Sequence, residues 1–113
     1  MISLASKLVL RAFDAVEPRL SIVLFHRVLS TPDPMLESEP DIKRFDTLVR
    51  WLRASFHILP LHEAFTRLRD GTLPAGALSI TFDDGYRDNA QNALPVLAAL
   101  DVRATFFITT RYL

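Results

Sequence analysis

Short apolar runs alternate with helix-length amphipathic segments along this chain of 113 residues. The runs at residues 20–26, 56–59, 77–82 and 104–109 predict strands, because they are short and rich in β-branched or aromatic side chains. Parallel neighbours in a sheet need a long crossover connection, and each interval between these runs is long enough for a helix. The sequence therefore predicts an α/β fold with a parallel sheet whose strands are covered on both faces.

Three helices are predicted between the strands. Over residues 42–56 apolar side chains recur at three- and four-residue spacings with charged residues between them, and Asp41 is the predicted N-cap. A second helix is predicted from about residue 62 to residue 70, ended by Gly71. A third is predicted at residues 95–100 and begins at its proline, because a proline in a helix interior costs ~3 kcal/mol.

The first 18 residues are interpreted as an N-terminal helical segment of one domain that covers residues 1–113. The apolar start resembles a secretion signal, but Arg11 and Asp14 interrupt it and no small-x-small cleavage site follows. We therefore predict an amphipathic helix and favour a cytoplasmic location. The compartment itself stays open, since a chain without cysteine suits either side of a membrane.

Composition excludes several classes of function. The 13 basic and 13 acidic residues are interspersed, so no nucleic-acid partner is predicted. The longest uncharged runs, residues 71–82 and 89–100, are shorter than the ~18–20 residues of a spanning helix, so no membrane span is predicted. Without cysteine there is no disulfide, thiol nucleophile or thiolate zinc site, and a metal would need His, Asp or Glu ligands.

Two adjacent carboxylates, Asp83 and Asp84, follow the predicted strand at residues 77–82. Sheets of α/β proteins place their active sites at this carboxyl end. Successive strand residues point to opposite faces, so we expect separate tasks, one carboxylate on a metal and one on a proton. Gly85 then allows a sharp turn. The alternative is that both aspartates accept hydrogen bonds from backbone amides of that turn.

The residues around this pair form a recognisable pattern. Residues 81–86 read Thr-Phe-Asp-Asp-Gly-Tyr, residues 94–97 Leu-Pro-Val-Leu and residues 104–108 Ala-Thr-Phe-Phe-Ile. In this pattern and its spacing the chain resembles the polysaccharide deacetylases, carbohydrate esterase family 4. Residues 22–28, Ile-Val-Leu-Phe-His-Arg-Val, resemble a strand that many members carry near their C-terminus and that precedes the aspartates in a permuted subgroup, including poly-N-acetylglucosamine deacetylases. The resemblance extends from about residue 20 to residue 113.

The resemblance implies metal-dependent hydrolysis of N-acetyl groups from an aminosugar polysaccharide. It makes Asp83 the general base, Asp84 a metal ligand and His26 the general acid that protonates the leaving amine. A divalent metal, most simply zinc, polarises the acetamide carbonyl and lowers the pKa of bound water. A histidine, with an unperturbed pKa of ~6.5, suits the acid role, although His26 is alternatively a hydrogen-bonded residue at a strand end. Arg27 and Arg87 either position carbohydrate or pair with nearby aspartates.

The chain departs from the family in its metal ligands and strand number. The family adds two histidines from a His-x3-4-His segment, which we expect beyond Leu113, since catalytic zinc usually has three protein ligands. The extended spacing of His57 and His62, roughly 16 Å, does not allow one metal to bridge them. Four strands do not close a barrel of about seven, so we expect about half of a distorted β/α deacetylase barrel. Its exposed edge favours an oligomer or a partner chain.

Other classes fit the acidic pair less well. Phosphatases of the haloacid dehalogenase type use Asp-x-Asp, whereas residue 85 is glycine. Receiver domains need a lysine late in the domain, and Lys7 and Lys43 both lie early. The main alternative is a truncated or degenerate non-catalytic half-domain that binds glycan or pairs with another chain. Hydrolysis of O-acetyl esters is also compatible with the same chemistry.

Overall fold

The computed structural model of the protein describes residues 17–110. The predicted N-terminal helical segment lies outside this range except for Glu17 and Pro18, which lead into the first strand. The elements are β1 (Leu20–Phe25), a 3-10 turn (Pro34–Leu36), α1 (Ile42–Ser55), β2 (His57–Ile58), α2 (Leu61–Asp70), β3 (Ala77–Phe82), a π-helical segment (Asn89–Ala93), α3 (Leu94–Ala99) and β4 (Thr105–Phe106). The predicted alternation of strands and helices is confirmed.

All strand pairs in the described sheet are parallel, and β3 is the central strand. β1 pairs with the full length of β3, from Leu20 opposite Ala77 to Phe25 opposite Phe82. The other side of β3 is shared, since β2 pairs with its N-terminal end and β4 with its C-terminal end. The carboxyl ends of β1 and β3 therefore lie side by side. This places residues 26 and 83 together at the carboxyl end of the sheet, which we call its carboxyl edge.

Every residue of β3 is buried, as predicted for a strand covered on both faces. Alternate strand residues point to opposite faces. On one face Leu78, Ile80 and Phe82 belong to the main core, which also contains residues of α1 and α3. On the other face Ala77 packs in a smaller cluster with Ala64 of α2.

β1 departs from the prediction of two covered faces. Val23 and Phe25 pack against the main core, whereas Ile22 and Leu24 are 50% and 51% exposed. The physical reason is that the α2 cluster reaches only the start of this face, where it contacts Leu20. Within residues 17–110, β1 is therefore covered on one face along most of its length.

The predicted third helix is confirmed as α3, with Pro95 in its first turn, but helical structure begins earlier in the chain than predicted. Helical turns begin at residue 87, and a π-helical segment, Asn89–Ala93, precedes α3. Pro95 lies near the start of α3 itself, but it does not begin the helical segment. A proline lacks the N–H donor and its ring clashes with the carbonyl four residues earlier, so a wider turn in front of it relieves the conflict.

No helix described between residues 17 and 110 is long and apolar enough to cross a membrane.

Phenylalanine rings form the centre of the main core. The Phe45 ring of α1 lies edge-on to Phe25 and Phe82, at centroid distances of 5.2 and 5.7 Å. Phe82 also stacks on Phe25 at 5.4 Å and on Phe106 at 4.9 Å. These contacts join β1, β3, β4 and α1 directly beneath the carboxyl edge of the sheet.

Replacing Phe45 should destabilise the protein strongly. Because Phe45 is fully buried, we expect Phe45→Ala to lower the free energy of unfolding by about 3–5 kcal/mol, from lost burial and the cavity left behind. Urea denaturation measures this change. Phe65→Ala is the matched control, since half of Phe65 is exposed, and a comparable loss in both variants would contradict the assigned core.

The predicted N-cap of α1 is confirmed, because Asp41 Oδ1 accepts a hydrogen bond of 3.0 Å from the Arg44 N–H. We expect Asp41→Ala to reduce the free energy of unfolding by about 1 kcal/mol, since a helix N–H then loses its acceptor. Asp41→Asn keeps an acceptor oxygen and should stay close to the wild type in the same urea titration. Equal losses in the two variants would argue against capping as the cause.

Candidate active site

The residues predicted to carry the chemistry meet at the carboxyl edge of β1 and β3. The Asp83 N–H donates to the Phe25 carbonyl at 3.0 Å and so continues the pairing of the two strands by one step. His26 follows Phe25, and its Nε2 lies 4.0 Å from Asp84 Oδ2. The side chains of His26 and Asp84 are 45% and 56% exposed, and Asp83 is half-buried. The site is therefore open to solvent on the side where His26 and Asp84 face each other.

A left-handed turn directs the second aspartate. β3 ends at Phe82, and the backbone φ angles of Asp84 and Gly85 are 72° and 65°. The strand alternation that we used to separate Asp83 from Asp84 therefore does not set the direction of Asp84, because the turn does. Aspartate is one of the few residues besides glycine that enter this region, and backbone strain of this kind is typical of functional sites.

Arg27 pairs with an aspartate, which is one of the two interpretations the sequence allows. Its Nε donates to Asp88 Oδ2 at 2.9 Å, and its guanidinium lies 5.1 Å from the centre of the Tyr86 ring. The Asp88 side chain is 11% exposed, and its Oδ1 accepts the Val28 N–H at 3.3 Å. Arg87 is exposed. Arg27 therefore ties the end of β1 to the segment that follows the aspartate pair.

Two asparagines in the π-helical segment hold the chain that leaves β1. Asn89 Nδ2 donates to the His26 carbonyl at 2.9 Å, and Asn92 Nδ2 donates to the Val28 carbonyl at 2.7 Å. Sequence reasoning missed these contacts, because it began the third helix at residue 95, whereas the helical turns begin at residue 87. The available signal was the spacing of Asp88, Asn89 and Asn92, which puts three polar side chains within about one helical turn.

The described residues do not complete a metal site. Asp84 offers an exposed carboxylate, but residues 17–110 contain no group of three or more His, Asp or Glu side chains placed to hold an ion. His57 pairs with Ala77 at the opposite end of β3, roughly 20 Å from Asp83 at ~3.3 Å per strand residue. His62 is exposed on α2. A catalytic zinc site usually needs three protein ligands, so the donor set present here falls short.

Comparison with known proteins shows which family the chain is similar to. The polysaccharide deacetylase family matches residues 70–113, which include Asp83, Asp84 and Asn89. YxkH of Bacillus subtilis (strain 168), named as a polysaccharide deacetylase, is 33% identical over 92 residues, or 80% of this chain. This chain is related to the polysaccharide deacetylases. The resemblance seen in the sequence is thereby confirmed.

Solved structures of deacetylases share the fold. IcaB from Ammonifex degensii is 26% identical, with a TM-score of 0.68 over 79% of this chain. The Streptococcus pyogenes deacetylase PplD, in complex with acetate, is 25% identical, with a TM-score of 0.66 over 80% of this chain. The chain spans 32% of YxkH, 37% of IcaB and 42% of PplD. The parallel α/β sheet with its helices therefore corresponds to part of a deacetylase domain.

The turn after Asp84 yields a prediction on stability. A Cβ added at Gly85 would lie 3.1 Å from Ile108 Cγ2 on top of its positive φ angle, whereas one added at Gly76, also at positive φ, meets nothing within 4 Å. We expect both Gly→Ala variants to lose about 1–2 kcal/mol of unfolding free energy from the left-handed backbone. Gly85→Ala should lose more because of the contact, as measured by urea denaturation.

A second substitution isolates that contact. Measured against Ile108→Ala alone, Gly85→Ala should lose no more unfolding free energy than Gly76→Ala loses in the wild type, because the crowding methyl group is gone. Equal losses for the two single variants would show that Gly85 is required only for its backbone conformation.

Proposed function

We propose that this chain carries the first part of the active site of a carbohydrate deacetylase, which hydrolyses N-acetyl groups from an aminosugar polysaccharide. The observation that supports this most directly is the placement of His26 and Asp84, 4.0 Å apart at the carboxyl edge of β1 and β3, with Asp83 beside them. The relationship to polysaccharide deacetylases supplies the reaction class.

The proposed roles follow from the position of each side chain. Asp83, half-buried and fixed through its backbone to β1, acts as the general base that takes a proton from the attacking water. The hydroxide oxygen adds to the acetamide carbon, and the carbon–nitrogen bond then breaks. His26 protonates the leaving nitrogen, because an amine leaves poorly without a proton. The products are acetate and a free amine on the polymer.

Asp84 is the proposed metal ligand. Polysaccharide deacetylases are generally metal-dependent, and a divalent ion, most simply Zn²⁺, would supply the polarisation of the substrate carbonyl. Since residues 17–110 do not complete a three-ligand set, we propose two histidines from outside this range as the remaining ligands. The polymer is proposed only by class, as an N-acetylated polysaccharide.

A non-catalytic role is the second candidate, because the ligand set within residues 17–110 is incomplete. In this case the same edge of the sheet binds an acetylated glycan, or the chain pairs with another chain, without turnover. Metal dependence separates the two candidates. Binding of a glycan that survives chelation and substitution of Asp84 favours the binding role.

Substitution at the aspartate pair tests the enzymatic role. The protein to be tested is the natural gene product, whose intact mass is measured first. We expect it to release acetate from N-acetylglucosamine oligomers. Asp83→Asn should lower kcat by about 10²–10⁴-fold, the usual contribution of a general base. Asp84→Asn should abolish the part of the activity that a chelator removes.

Asp70→Asn is the matched control, because Asp70 is an exposed aspartate at the end of α2. It should leave kcat unchanged. Acetate release that is insensitive to chelation and to both substitutions would contradict the proposed mechanism. Release from O-acetyl esters alone would restrict the protein to esterase action.

A further inference from the structure

We propose that Asn89 is a positioning residue that holds His26 in place for proton delivery, an inference that rests on the proposed deacetylase function. Asn89 is buried, with 5% of the residue exposed. Its Nδ2 donates to the His26 carbonyl at 2.9 Å and lies 3.4 Å from Asp88 Oδ1. Both partners are acceptors, so the amide nitrogen, not the oxygen, must face His26.

The His26 carbonyl lies where the chain leaves the sheet. The last backbone bond between β1 and the segment after β3 is the one from the Asp83 N–H to the Phe25 carbonyl. The next carbonyl, that of His26, is held by Asn89. Without this bond the backbone at His26 is free to shift, and a shift of that backbone would move the imidazole relative to Asp84. Displacement of a reacting group by about 1 Å can lower the rate about 10²-fold, so loss of this one hydrogen bond is expected to slow the reaction by displacing the imidazole.

The π-helical segment joins the two halves of the site through this bond. Asn89 is the first residue of that segment and lies five residues after Asp84. It therefore fixes the acid from β1 to the same stretch of chain that carries the aspartates. Single π turns inside helices are frequent at functional sites, where they redirect side chains.

Asn92 offers a matched comparison. It makes the same kind of bond from the same segment, from Nδ2 to the Val28 carbonyl at 2.7 Å, and it also contacts Ser30 Oγ at 3.3 Å. Its partner lies two residues beyond His26. A general role in anchoring this loop would make the two asparagines equivalent, whereas positioning of His26 belongs to Asn89 alone.

The test is a double-mutant cycle on the natural gene product, read as acetate release from N-acetylglucosamine oligomers. Asn89→Ala should lower kcat by about 10–100-fold, the usual effect of removing a group that orients a catalytic residue, with little change in KM. Asn92→Ala should lower it much less. In a His26→Gln background Asn89→Ala should not lower kcat further, because the imidazole that Asn89 positions is no longer present. An undiminished effect in that background would overturn the proposal.

A readout without turnover separates this inference from the proposed function. At fixed pH, Asn89→Ala should shift the imidazole NMR resonances of His26 and leave those of His57 and His62 unchanged, while Asn92→Ala should leave all three unchanged. Unshifted His26 resonances would overturn the inference. Failure of the folded wild type to release acetate would instead overturn the deacetylase function. If a urea titration shows that Asn89→Ala is already unfolded without urea, Asn89→Gln replaces it in both measurements. Asn89→Gln keeps an amide donor but displaces it, so we expect the same loss of kcat and the same shift of the His26 resonances.

Discussion

The in-register parallel pairing of β1 with β3 is the constraint on which the rest of the structure depends. Phe25 lies opposite Phe82, and the Asp83 N–H extends the pairing to the Phe25 carbonyl. A shift of one residue would turn every side chain of β1 to the other face, which would expose Phe25 and bury His26. The stacked rings of Phe25 and Phe82, 5.4 Å apart, oppose such a shift, and so the core secures the geometry of the site.

Buried polar side chains within β3 strengthen the same arrangement. Ser79 Oγ donates to the Leu59 carbonyl at 2.8 Å, and Thr81 Oγ1 lies 3.4 Å from the Val23 carbonyl on β1. A buried hydroxyl without a partner is costly, so these two residues favour one placement of the neighbouring chain over its alternatives. The strand between the two clusters of the core is thereby fixed on both sides.

The sequence predicted the strands and the first two helices well, because their apolar periodicity agrees with the final packing. Asp41 and Gly71 occupy the caps that their residue types favour. The segment at residues 87–93 was missed, because Asp88, Asn89 and Asn92 are poor helix formers, and their spacing alone is a weak signal. Their helical turns depend on contacts with the distant residues Arg27 and Val28 and the His26 carbonyl. The identities of the candidate acid and carboxylates were readable from the motif, whereas the residues that hold His26 required tertiary structure.

The π-helical segment has a consequence for how the site and the core are fitted together. A π turn is one residue longer than an α turn, and each α-helical residue turns the chain by about 100°. The extra residue between Asp88 and α3 therefore sets the rotation of the polar side chains that hold the end of β1 relative to Val96 and Leu97, which face the core. In a homologous helix that lacks this residue, keeping the apolar side chains buried would rotate the two asparagines away from the end of β1 and His26. The number of residues in this segment, as much as their identity, therefore determines how the active site is positioned relative to the core.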